Sequence, residues 1–214
     1  MTRLPWIGVK EYRTAEGGNE MRLPIFVIGL SLMAGVLAAQ APAGGGRGGP
    51  QGPPLMMMIP DLKDGAELPV KFSCSNAPAG VSPHIMWMNA PMAAQSFAIL
   101  LHDPEPHPGK GIYDVTHWFI WNIPATAKEL PEDLPRMAEL PDGSRQMKRG
   151  NGANATTGYF GPCAPAGPNH HYTFELYALD SKLDLGADAT RADAMKAMDG
   201  HILGAAVFVT LFHR

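Results

Sequence analysis

Charge is scarce in this chain: 17% of its residues are Asp, Glu, Lys or Arg, and the formal net charge is −3. The basic residues are scattered along the chain, which excludes the clustered positive surface that nucleic-acid binding needs. Long helical patterns are missing as well, and 24 glycines with 21 prolines point to turns and loops instead. No G-x-S-x-G elbow and no H-E-x-x-H or H-x-x-x-H spacing occurs, so neither a serine hydrolase nor a helical zinc site is signalled. There is no internal repeat. Cysteine is nearly absent, with only Cys74 and Cys163.

What the chain does have is apolar content, 45% of 214 residues, enough for one domain with a sizeable core plus extra segments. The run "MRLPIFVIGLSLMAGVLAAQA" (21–41) opens on Arg22, continues apolar and closes on small residues. That is the order of a secretory signal peptide, with cleavage sites at Val36-Leu37-Ala38 or Ala39-Gln40-Ala41. The stretch from Leu23 to Ala39 is also just long enough for a short membrane anchor if it is kept. Residues 1–20 are polar and read as an upstream extension, with translation expected to begin at Met21. Export places the protein in the periplasm or the medium, where Cys74 and Cys163 either pair as a disulfide or stay as free, buried thiols. After signal removal no integral membrane span is expected.

Residues 42–54, within "APAGGGRGGPQGPP", form a Gly/Pro-rich linker that cannot bury a core. The folded domain is expected over 55–214, and its dominant signal is period-two alternation. Val70, Phe72 and Cys74 alternate with polar residues as a half-buried strand would. "SFAILLHD" (96–103), "THWFIWNI" (116–123), "HYTFELYAL" (171–179) and "GAAVFVTLF" (204–212) are further strands, with Tyr172, Phe174, Leu176 and Ala178 on one face of the third. One helix is predicted in "TRADAMKAMDGH", capped by Thr190, with Asp193 in its first turn and a stop at Gly200. Ala194, Met195 and Met198 form its apolar side. The fold class is mainly β, an antiparallel β-sandwich with short peripheral helices.

Polar, ionisable groups sit at the ends of three apolar strands. Asp103 follows "FAILLH", His117 starts "HWFIWNIP", and His170 and Tyr172 share a strand face two residues apart. His171 points to the other side with Thr173. Each of these has an ordinary structural reading: Asp-Pro is common turn chemistry, and a lone strand-end histidine usually belongs to a core or rim.

Together, "HDPEP", "VTHWFIWNIP" and "GYFGPCAPAGPNHHYTFELYALD", preceded by "FSCSNAPAGVSPHIMW", resemble the phosphatidylethanolamine-binding protein (PEBP) family in its bacterial Raf-kinase-inhibitor-like branch. The resemblance spans about residues 55–213, with the blocks in the right order. It implies a large antiparallel β-fold and one small anion pocket for phosphate or a phospholipid head group. Asp103, His117, Gly161 and Pro162, and His170 and Tyr172 fall on the family's pocket motifs. Imidazolium and phenol groups would donate hydrogen bonds to the anion, and Asp103 would orient a histidine and hold it charged. Binding is then expected to tighten as the histidines protonate. Two departures stand out: "DPEPH" replaces the usual "DPDAP", bringing Glu105 and His107, and the loop "HPGKGIYDV" carrying Lys110 is long.

The function expected is a non-catalytic binding protein without cofactor. Cys163 is the one nucleophile near the constellation. One alternative is a metal site or hydrolase built from His102, Asp103, His107, His117, His170 and His171. Another is an inhibitory interaction module for an envelope protein. A homodimer is left open.

Overall fold

The computed structural model describes residues 52–150 and 155–214. The expectations for 1–41 and for most of the linker 42–54 lie outside the described residues. No helix among them is long and apolar enough to cross a membrane.

The central strand is β3 (Ser96–Asp103), with all eight residues buried. Such a strand needs apolar cover on both faces, supplied by a core on each side, while β4 (Val115–Pro124) pairs along one edge and β9 (His170–Leu179) along the other. β10 (Ile202–Phe212) and β6 (Arg145–Gln146) complete a five-stranded antiparallel sheet in the order β10-β9-β3-β4-β6. A second sheet has the order β1-β2-β5, from Met56–Met58, Ile85–Met88 and Glu129–Leu130. β7 (Lys148–Arg149) and β8 (Thr156–Thr157) pair separately.

The alternation along each strand decides which core a side chain joins. Phe97, Ile99 and Leu101 of β3 and Tyr172, Phe174 and Leu176 of β9 pack with Met57, Ile85 and Trp87, filling the space between the sheets. Trp87 and Phe97 meet with ring centroids 5.2 Å apart. The alternate residues Ala98, Leu100, Phe119 and Trp121 form a second core, covered by Ala194 and Met198 of α1 (Arg191–Met198). The mainly-β sandwich is therefore the observed fold.

α1 begins as the sequence predicts. Thr190 accepts from the Asp193 backbone N–H and the Asp193 carboxylate accepts from the Thr190 N–H, a reciprocal capping box. Thr190→Ala should cost about 1 kcal/mol in urea unfolding, and an unchanged midpoint would show that the helix does not depend on its cap. Met195 is 36% exposed and takes no part in the apolar side expected of it.

The strand expected at 70–74 is not formed. After Pro69 the backbone closes a 3-10 turn, with Phe72 N donating to Pro69 O and Ser73 N to Val70 O. Ser73 Oγ also bonds to Val70 O at 2.9 Å. Proline and these local bonds favour the turn over a ladder, so Phe72 is buried while Val70 is 60% exposed.

Candidate functional site

β3 ends where its antiparallel neighbour β9 begins, so Asp103 and His170 arrive side by side. His170 Nδ1 donates to Asp103 Oδ2 at 2.7 Å. One step along the same face lies Tyr172, whose hydroxyl accepts from Cys163 N at 3.0 Å. His117 comes from β4 by an irregularity. Leu101 pairs with Trp118 but His102 pairs with Thr116, leaving His117 over as in a β-bulge. The bulge turns its ring toward β9, where it meets Tyr172 edge-on with centroids 5.1 Å apart.

The rim is built from two loops pressed together. A side chain on Gly161 would start 2.3 Å from Phe72 O, and one on Gly80 2.6 Å from Ser73 O, so only glycine permits this approach. Gly161 N donates to Ala79 O, Cys74 N to Pro162 O, and Tyr159 Oη to Phe72 O. The Arg136 guanidinium donates to Tyr159 O and Gly80 O. Cys74 and Cys163 are joined by a disulfide, with Cα atoms 5.3 Å apart.

The site is nearly closed. Asp103 is 2% exposed, His117 3% and Tyr172 0%, while the His170 side chain reaches solvent at 23%. A concavity of about 740 Å³ lies elsewhere, along Leu55, Pro91 and Leu203.

Charge is divided unevenly. Burial pushes the Asp103 carboxyl up, and so does its contact with Glu105, against the pull of His170. Glu105 resists the same burial through bonds to Asp103 and to the His171 ring and backbone, which hold it at about 2. Burial raises the Tyr172 phenol, and the Asp103 carboxylate adds to this, so the group stays a neutral hydroxyl. His117 departs from its expected cationic role. Burial first, and then the charge of Arg149, lower it from 6.5 to about 4, so the ring is neutral at ordinary pH.

The other histidines do not join the constellation. His102 lies on the opposite face, donating from Nδ1 to Asp114 at 2.7 Å with Glu175 3.7 Å from Nε2. Arg191 closes that network on Asp114. His171 caps Glu105 at the surface, and His107 and Lys110 are exposed in their loop. The ligating atoms of Asp103, Glu105 and His170 lie within 4.8 Å of one another, which is the one such group among the described residues. Two of them are already bonded together.

Sequence reading missed Arg149. Its guanidinium covers the Phe160 ring at 4.2 Å, and its Nε donates to Thr116 O beside His117. A signal was present: Arg145, Lys148 and Arg149 open a stretch without a single acid from 143 to 174.

Comparison with known proteins identifies the fold and the family that carry these residues. The family model for phosphatidylethanolamine-binding protein matches residues 59–213. A UPF0098 protein of Methanothermobacter thermautotrophicus is 40% identical over 153 residues, covering 72% of this chain and 95% of its own. The Mycobacterium tuberculosis lipoprotein LppC is 34% identical over 164 residues, covering 76% of this chain and 74% of its own. Among solved structures, a phosphatidylethanolamine-binding protein homologue from Chlamydia trachomatis superposes with a TM-score of 0.63 at 26% identity, covering 75% of this chain and 98% of that one.

Proposed function

The chain belongs to the phosphatidylethanolamine-binding protein family, and from that membership we propose that it is a non-catalytic binding protein for a small anion. The anion is phosphate or a phospholipid head group. The observation that carries this reading is the Asp103–His170 pair, 2.7 Å apart, set beside His117 and Tyr172 under the glycine-proline rim. Asp103 fixes the His170 ring, whose other nitrogen and exposed edge are left for a ligand. Three of the four side chains are buried, so entry is past His170 and the ligand is small. Cys163, the one nucleophile near the site, is tied up in a disulfide and so is not free for covalent chemistry.

The protein works, in this reading, in the periplasm or the medium. Residues 21–41 have the order of a secretory signal, a long-lived disulfide needs an oxidising compartment, and one relative is described as a lipoprotein.

Isothermal titration with inorganic phosphate tests the site. His170→Ala is expected to weaken binding at least about tenfold, the worth of one charge-assisted hydrogen bond, while costing under about 2 kcal/mol of stability. Equal binding by the variant would locate the pocket elsewhere. Stoichiometric zinc in the purified protein would favour the metal reading instead.

A further inference from the structure

The tautomer of His117 restricts what the site accepts. Its Nδ1 lies 3.1 Å from the carbonyl oxygens of both Phe160 and Gly161. Carbonyl oxygens only accept, so the ring hydrogen sits on Nδ1 and Nε2 carries a lone pair. Nε2 has no hydrogen-bond partner among the described residues. His117 therefore offers the site an acceptor where an anion would need a donor.

A positive charge stands nearby to balance that. Arg149 is half-buried, held by Thr116 O at 3.2 Å and by the Phe160 ring, the same residue whose carbonyl fixes His117. Among the described residues no carboxylate lies within ion-pair distance of its guanidinium. A partly desolvated cation without a counter-ion is costly, and an incoming anion relieves that cost. Burial already lowers Arg149 from its ordinary value, in keeping with this strain on the charge.

We propose that the site selects a phosphate group that still carries a proton, inorganic phosphate or a phosphomonoester, with its P–OH donating to His117 Nε2 and its charged oxygens facing Arg149. This rests on the anion reading above and narrows it. The sulfate ion and the phosphate moiety of a diester, such as that of an intact phospholipid, present acceptors alone. Facing the Nε2 lone pair, they leave it unpaired. A site that loses a buried hydrogen bond in this way discriminates on the order of tenfold to a hundredfold.

The test is titration of the oxidised protein at pH 5.5, where a phosphomonoester is mostly still protonated and His117 is neutral, with inorganic phosphate, phosphoethanolamine, dimethyl phosphate and sulfate. Phosphate and phosphoethanolamine should bind, and the diester and sulfate should be at least about tenfold weaker. Arg149→Gln should weaken phosphate binding at least about tenfold while the protein still unfolds cooperatively. Equal binding of all four ligands would overturn the selectivity while leaving the anion reading intact. Phosphate binding by Arg149→Gln as tight as wild type would overturn the role of Arg149. Binding of none of the four would sink both readings. The ligand series uses the wild-type protein, so it decides the matter even if the variant fails to fold.

Discussion

Replacing Cys74 and Cys163 together by serine is expected to lower the unfolding free energy by about 4 kcal/mol. The two residues are 89 positions apart, and cross-linking so long a loop removes chain entropy from the unfolded state in roughly that amount. The native rim does not depend on the bond for its shape. Cys74 N on Pro162 O, Gly161 N on Ala79 O and Tyr159 Oη on Phe72 O hold the same two loops together. The variant should therefore keep the fold, and phosphate binding with it, while its denaturant midpoint falls. Reducing the wild-type protein should have the same effect, with alkylation and mass analysis showing both thiols released. A midpoint unmoved by reduction would mean that the bond does not form in solution.

That bond also marks where sequence reading stops. Nothing in the spacing of the two cysteines distinguished a disulfide from two buried thiols, because the turn at 70–74 that brings Cys74 to the rim reads as a strand. Alternation predicted Val70, Phe72 and Cys74 on one face, yet Pro69 and the Ser73 hydroxyl bend the chain instead. Where strands are long and central, alternation is reliable. β3, β4, β9 and β10 were all legible, and so was α1, because its cap, first-turn acid and glycine stop are local. The site was legible only as residue types. Strict alternation puts His117 on the face of Phe119 and Trp121, and the bulge opposite Leu101 and His102 moves it to the face of Tyr172. A bulge is a property of pairing between two strands, invisible in either one alone. The pairing of Glu105 with His171, and of Arg149 with Phe160, likewise joins segments distant in sequence.

The neutral state of His117 has a consequence for stability that no ligand is needed to see. Its pKa is 6.5 when solvated and about 4 in the fold, lowered by burial and by Arg149. Between those values the unfolded chain binds a proton that the folded chain refuses, so stability must rise with pH across that window. The contribution is whole above pH 6.5, falls as pH drops, and is gone below about 4. Its size is about 3 kcal/mol, from roughly 1.4 kcal/mol for each pKa unit. His117→Gln has no titrating group, so its denaturant midpoint should be flatter than that of wild type between pH 6.5 and 4.5. Glu105, held at about 2, works in the same direction but only below the ordinary carboxylate range, so the upper part of the window isolates the histidine from it. Equal slopes for the two proteins from pH 6.5 to 5 would show that His117 is not buried neutral. The acceptor lone pair that distinguishes a protonated phosphate from sulfate would then be lost with it, since an imidazolium at 117 would donate to either.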